Sequence, residues 1–477
     1  MQKTYLFYDL ETTGRSKCFD QALQFAAIRT DLELNELSRH SLHIKLNIDA
    51  IPDPEAILIH RIPIANMLEG ESEIDAISQI HALLNTPGTI SGGYNTLGFD
   101  DEFLRFLFHR NLLPPYTHQW ANGCGRFDLY PLAQLYNLYH PACLQWPTTP
   151  EGKISLKLEN LSRANQLAEG PAHQAMTDVE ATLALARIFM KNKEMWTYAM
   201  DFFNKESDQK RREKITSALE TAHGKYQLAL LVGKAGSSDF FQYPVLALGA
   251  HQHYKNQTLW LRLDKPELAT TTQDIFTETT WVARQKAGET FLLPFSGRFK
   301  QHITPERAVI IQKNLQWLTQ NGPLLGEIQR YYQHYKYPDI PNLDVDASLY
   351  ASGFLSRDEE QLCIQFHTVA KEKKATVAER FQNPRLQAIA ARVMGRHYPQ
   401  YSTPNLADKF SVYMQHLNPA REEDAPVDWR GEKRLTAKMA LQKIAAVKEA
   451  KQVDDEGLCL LNDLEKYIRE REQLART

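Results

Sequence analysis

The sequence predicts an α/β domain at the N-terminal end, a small β domain after it and a helical domain last. Three observations predict this. Apolar strand-like and helix-like segments alternate over the first 190 residues. Short alternating segments separated by turn residues follow. Helical periodicity then runs almost to the C-terminus. A chain of 477 residues is too long for one core, so two or three domains are expected.

Leu6–Leu10 reads as the first strand and Leu23–Thr30 as the second, with Leu42, Ile44 and Leu46 alternating along a third. Glu73–Leu84 has Ile74, Ile77, Ile80 and Leu84 at helical spacing. Thr89–Tyr94 reads as a short strand and Asp101–His109 as a helix. Ser155–Asn165 is a short helix, and Gly170-Pro171 introduces a long one with Met176, Val179, Leu183, Ala186 and Met190 as its stripe. The charged run KNKEMWTYAMDFFNKESDQKRREK marks a boundary near 195. Tyr226–Val232, Tyr243–Leu248, Thr258–Leu263, Thr280–Ala283 and Thr290–Pro294 read as short strands of a barrel or sandwich. Helices follow from Thr304, among them Asp358–Val369, Pro384–Met394, Leu406–Leu417 and one continuous span from Arg434 to Gln473. The expected domains are 1–195, 196–345 and 346–477.

Composition is that of a globular protein, 43% apolar and 24% charged. No apolar run approaches a membrane span, and the first strand begins without a basic-then-apolar leader, so a cytoplasmic location and no membrane partner are expected. The five cysteines are scattered and none forms a C-x2-C pair, so a metal here is expected on oxygen ligands. A net charge of −3 weighs slightly against nucleic-acid binding, although a groove can be basic on an acidic protein.

The stretch TYLFYDLETTG sets Asp9 and Glu11 on one face of an apolar strand. Two like charges there are costly unless a cation lies between them. Asp100, in GYNTLGFDDEF, falls where a loop becomes a helix, a place that also suits a plain helix cap. In GPAHQAMTDVEATLALARIF, His173 precedes Asp178 by five positions, about 140° of helical turn. The two share a face only if His173 lies in the loop before the helix. Taken singly, His173 also reads as a polar residue near a helix start and Asp178 as a first-turn acid. Together the order D-x-E, D, H-x4-D gives four carboxylates and one histidine. Oxygen-only ligands suit Mg²⁺ or Mn²⁺, and two such ions can clamp a phosphoryl displacement while a histidine takes a proton from the attacking water.

The segments FYDLETTG, YNTLGFDDEF and HQAMTDVEATLALA resemble the three exonuclease motifs of the DnaQ-like superfamily, in its histidine-containing DEDDh branch. QFAAIRTDLELN, SLKLENLSRANQL, DVDASLYASGFLSRDE and PRLQAIAARVMGRHYP are similar to the bacterial exodeoxyribonuclease I family. The resemblance implies an RNase H-like exonuclease domain with a mixed sheet, an SH3-like β domain and an α-helical C-terminal domain. It implies 3′→5′ degradation of single-stranded DNA to 5′-mononucleotides, in DNA repair and recombination. It places two Mg²⁺ ions (or Mn²⁺) on Asp9, Glu11, Asp100 and Asp178, with His173 as general base. Asp101 is the alternative to Asp100, which is preferred because it follows Phe99. The family usually has an arginine where this chain has Lys157, and lysine lacks the planar fork that grips a phosphate.

A groove for single-stranded DNA needs cations and flat rings. LRFLFHRNLLPPYTHQW offers Arg105, His109, Arg110, Tyr116 and Trp120; the two rings read equally as half-buried loop anchors. Lys371–Arg380 is a further basic run that reads more simply as an exposed face. The resemblance also implies a contact with the acidic C-terminal tail of single-strand binding protein, for which Arg298, Lys300, Arg307 and Lys313 are available, and a monomer. Two other readings stand beside this one: an RNA-trimming or proofreading relative of the same superfamily, and an inactive single-strand-binding scaffold.

Overall fold

The structure is a computed structural model, and it describes residues 2–170, 173–222, 224–233, 241–351, 353–419, 421–450 and 453–474. Pro171, expected to introduce the long helix, lies outside the described residues. Along the chain come β1 (Thr4–Thr12), β2 (Ala22–Thr30), β3 (Glu36–His43), α1 (Pro54–His60), α2 (Ile64–Met67), α3 (Glu73–Leu84), β4 (Thr89–Gly93), α4 (Asp100–Arg110) and β5 (Gly125–Asp128). Next are α5 (Leu129–Tyr139), α6 (Leu158–Asn165), α7 (Ala175–Met190), α8 (Lys193–Met200) and α9 (Lys205–Glu213). The strands β6 (Ser217–Thr221), β7 (Gly224–Val232), β8 (Gln242–Ala250) and β9 (Gln257–Arg262) precede α10 (Phe276–Thr279), β10 (Val282–Lys286) and β11 (Leu292–Pro294). The rest is helical: α11 (Pro305–Gln320), α12 (Gly322–His334), α13 (Arg357–Thr368), α14 (Lys374–Ala378), α15 (Pro384–His397), α16 (Pro404–His416), α17 (Ala437–Glu449) and α18 (Asp455–Leu474).

The chain forms two compact units, one of Met1–Arg126, Ala168–Leu183 and Asp339–Thr477, the other of Phe127–Leu167 and Ala184–Pro338. In the first, a mixed sheet runs β3-β2-β1-β4-β5, antiparallel from β3 to β1 and parallel between β1 and β4. β1 is central and apolar on both faces, as a doubly covered strand must be. Leu6, Tyr8 and Leu10 pack with Phe25, Ile77, Ile80, Phe103 and Leu107 from β2, α3 and α4. A second cluster joins Ile74 and Leu112 to Phe366, Phe381, Ile389 and Met394 of the C-terminal helices.

The expected third strand is shifted. β3 ends at His43; Ile44 still donates to the Leu23 carbonyl of β2 but bridges Glu71 on its other side. Lys45 and Leu46 donate instead to the carbonyls of Glu71 and Met67, which draws the chain off the sheet edge. The expected single helix from Arg434 to Gln473 is two helices, because Asp454 caps a new start, accepting from the N–H of Gly457.

The second unit has a wholly antiparallel sheet, β10-β9-β8-β7-β11, with β6 paired to β7. Leu228, Leu246, Leu259 and Leu261 pack on Ile311, Leu318, Leu325 and Ile328 of α11 and α12.

Candidate metal centre

β1 pairs with β4 only through Phe7, so its last five residues run past β4 toward the carboxyl end of the parallel pair. Asp9 and Glu11 lie on this extension, opposite Ala26 and Gln24 of β2. The register slips just after Glu11, which ends the regular pairing beside the acid. β4 closes at Gly93, whose position would bring a Cβ within 2.4 Å of the Tyr8 carbonyl, so only glycine lets the two strands approach.

The loop after Gly93 is a compact turn. Thr96 Oγ1 accepts from the N–H of Gly93, and its carbonyl accepts from the N–H of Asp101. This starts α4 at Asp100, with Phe99 at the cap position and no side-chain capping bond. Asp100 is therefore not a helix cap; it is buried at the first helical position. His173 lies before α7, as the rotation argument requires, with its backbone in the left-handed region at φ 63°. Asp178 occupies the first turn of α7, and its N–H donates to the Gln174 carbonyl.

Ligand oxygens of Asp9, Glu11 and Asp178 all lie within 4.8 Å of one another. Burial pushes the Glu11 carboxyl up to about 9, reinforced by the charges of Asp178 and Asp100. Burial also raises Asp9, together with the charges of Asp100, Glu11 and Asp178. The four acids thus share one field. An oxygen-only donor set whose mutual charges raise Asp9 and Glu11 fits hard divalent cations, and these residues would hold them.

Asp101 is occupied otherwise. Its carboxylate accepts from Arg126 at 2.6 Å and His118 at 3.0 Å, and Arg105 lies 3.2 Å away. Burial alone would raise it, but Arg126, Arg105 and His118 outweigh burial and hold it well below the usual carboxylate range. Neither Arg126 nor His118 was singled out by sequence.

The expected nucleic-acid contacts divide. Arg105 is turned to Asp101. Arg110 is buried and ion-paired with Glu73 at 2.7 Å, and His109 shares a hydrogen bond with the Val345 carbonyl at 3.0 Å, so both serve packing. Tyr116 is half-buried, edge-on to Phe354. Trp120 is 66% exposed and Phe354 94% exposed. Phe354 was missed because an isolated phenylalanine ordinarily reads as core. Lys157 is exposed at the cap position of α6, 3.7 Å from Glu159. Arg298, Lys300 and Lys313 are exposed. Arg307 is not: it is buried and pairs with Asp264 at 2.7 Å. In the basic run Lys371–Arg380, Lys374 is buried and donates to the Phe366 carbonyl. All five cysteines are free thiols, and among the described residues no helix is long and apolar enough to cross a membrane.

Residues 6–186 match the exonuclease family, and residues 343–471 match the exonuclease I C-terminal domain. The chain is 28% identical over 421 residues to exodeoxyribonuclease I of Escherichia coli, covering 83% of this chain and 86% of that protein. It superposes with TM-score 0.81 and 25% identity on a moderately thermophilic exonuclease I from Methylocaldum szegediense, over 98% of this chain and 99% of the other. It superposes with TM-score 0.82 and 23% identity on E. coli exonuclease I in complex with a dA16 oligonucleotide, over 98% of this chain and the whole of that one.

Proposed function

The chain belongs to the exodeoxyribonuclease I family, and on that premise we propose that it degrades single-stranded DNA from the 3′ end, releasing 5′-mononucleotides by two-metal hydrolysis. The observation that carries this reading is the convergence of Asp9, Glu11 and Asp178, with Asp100 in the same field. Asp9, Glu11, Asp100 and Asp178 would hold two divalent ions, Mg²⁺ in the first instance and Mn²⁺ as a substitute. When bound, such ions lower the pKa of water and offset charge on a phosphodiester and its leaving oxygen.

The chain's own residues do the rest. The extension of β1 holds Asp9 and Glu11 in fixed register, so the acids need no reorganisation when substrate arrives. His173, carried by the loop before α7, takes the proton of the attacking water. Buried side chains around β1 exclude bulk water and strengthen each charge interaction. Trp120, Tyr116 and Lys157 serve the single strand through ring stacking and phosphate pairing, with Glu11 at the terminal nucleotide. Arg105 acts through Asp101.

In this reading 1–195 performs the chemistry, and 196–345 and 346–477 serve the polymer. A monomer in the cytoplasm acting in DNA repair, with the tail of single-strand binding protein received near Arg298, Lys300 and Lys313, completes it. The test is Mg²⁺-dependent release of mononucleotides from matched DNA and RNA single strands. Release from DNA, lost in Glu11→Gln and Asp178→Asn, supports the reading. Preference for RNA favours the trimming alternative, and no release from either overturns it.

A further inference from the structure

The segment Tyr331–Tyr337 reads YYQHYKY, four tyrosines in seven residues, and the metal centre uses none of them. It lies wholly in the second compact unit. α12 ends at His334 and the backbone of Tyr335 is extended, so Tyr335 and Tyr337, two apart, fall on one side of the chain. Tyr331, four residues before Tyr335, lies next to it along the helix, with ring centroids 6.2 Å apart. Tyr332 turns the other way. Its hydroxyl shares a hydrogen bond with Thr280 Oγ1 at 2.8 Å, and its ring packs against the leucine core under α12. Tyr332 therefore serves the fold, and the other three have a different setting.

Those three continue into a row of rings. Tyr335 and Tyr337 meet edge-on with centroids 5.5 Å apart. Tyr254, which follows β8, lies 5.4 Å from Tyr337, and its hydroxyl accepts the Tyr337 N–H at 3.1 Å. Arg284, on the edge strand β10, sits over both Tyr335 and Tyr337, at 5.5 and 5.4 Å from their centroids. Tyr331 is 41% exposed and Tyr337 48%. Rings left this open give up much of the stabilisation that burial would bring, and contiguous exposed apolar surface marks interaction sites. The row also carries positive charge. Arg284, Lys336 between two of the tyrosines, and Lys255 beside Tyr254 are all exposed, and among the described residues none of the three is ion-paired.

Rings and unpaired cations together select the occupant. A proline-rich peptide would use the rings and leave the cations idle. An acidic peptide would use the cations and leave the rings idle. A single-stranded nucleic acid uses both, because each nucleotide brings a flat base and a negative phosphate. We propose that this row is a stacking site for single-stranded nucleic acid, in which bases lie on Tyr331, Tyr335 and Tyr337 and phosphates meet Arg284 and Lys336. The inference rests on the substrate being a single strand. It gives the second unit a contact with that strand which needs no metal and is separate from Trp120 and Tyr116, which belong to the first unit.

The experiment uses the full chain in Ca²⁺ and follows the fluorescence anisotropy of two labelled oligomers of equal length. One is oligo(dT). The other is its abasic counterpart, which carries the phosphates without the bases. The double variant Tyr335→Leu, Tyr337→Leu is expected to bind oligo(dT) about tenfold more weakly or worse, with its affinity for the abasic oligomer and its thermal midpoint near those of the wild type. Tyr335→Phe with Tyr337→Phe keeps the rings and is expected to retain wild-type affinity for both. Arg284→Gln is expected to weaken both oligomers and to lower the slope of log affinity against log salt by about one. Wild-type oligo(dT) affinity in the leucine variant, or an equal loss on both oligomers, overturns the stacking site. Binding of a decaproline peptide that the leucine variant abolishes, with oligo(dT) affinity unchanged, overturns it in favour of a peptide groove. Mononucleotide release in Mg²⁺ is read separately. Wild-type protein that binds oligo(dT) through these rings and releases nothing overturns the nuclease reading and supports the stacking site alone.

Discussion

Arg126 donates to Asp101 at 2.6 Å, a bond that engages Asp101 and leads us to assign Asp100, not its neighbour, to the proposed metal site. Asp101 is neutralised by Arg126, Arg105 and His118, whereas Asp100 adds its charge to the field of Asp9 and Glu11. Asp100→Asn is expected to abolish turnover and weaken Mg²⁺ binding with little loss of stability. Asp101→Asn is expected to keep metal binding but lose about 3 kcal/mol of stability, because Arg126 is left buried without its counter-charge. Calorimetric metal titration and denaturant melts of the two variants separate these effects.

The metal-free protein is expected to lose stability as pH rises. Glu11 titrates near 4.5 when unfolded and near 9 when folded, so between those values the folded state binds more protons. Stability contributed by this group is therefore fully present below about 4.5 and falls up to about 9. A divalent ion displaces the proton, so Mg²⁺ binding is expected to release protons and tighten with pH. Thermal midpoints in EDTA between pH 6 and 8.5 should fall less steeply in Glu11→Gln than in the wild type. Magnesium titrations at pH 7 in two buffers of different ionisation enthalpy should show net proton release.

His173→Ala is expected to lower turnover about 10²–10⁴-fold while single-stranded DNA affinity, measured in Ca²⁺, stays near that of the wild type. Unchanged turnover would remove His173 from the role of base.

Much of the candidate site was legible because each acid sits on or beside an element that sequence marks. D-x-E on an apolar strand forces a shared face, and the five-residue step from His173 to Asp178 forces His173 out of the helix. The preference for Asp100 over Asp101 came from the family resemblance through Phe99; the contact that engages Asp101 comes from Arg126, twenty-five residues on, which no local pattern marks. Arg110 read as a surface cation because its partner Glu73 lies thirty-seven residues back. α1, which the structure caps with Asp53 ahead of Pro54, was not read from the sequence, because seven residues are too few for a period. Its placement by α17 and α18 is a purely tertiary fact.

Arg110 and Trp120, neighbours in one sequence run, are expected to behave oppositely. Arg110→Ala leaves Glu73 buried and unpaired, which costs about 3–5 kcal/mol of stability. Trp120→Ala, at an exposed ring, should leave the melting temperature unchanged and weaken single-stranded DNA binding by about 1–3 kcal/mol. Phe354→Ala should follow Trp120. Fluorescence anisotropy with a labelled oligomer, beside thermal melts, distinguishes the two classes.

The central claim is attack at the 3′ end of a single strand by a carboxylate-held metal site. Its most direct test is digestion of an oligomer labelled at its 5′ end, with a free or blocked 3′ terminus, in Mg²⁺. The account predicts progressive shortening from the 3′ end with release of 5′-mononucleotides, stopped by the block and absent in Asp178→Asn. Degradation that ignores the block, or that survives loss of Asp178, would contradict it.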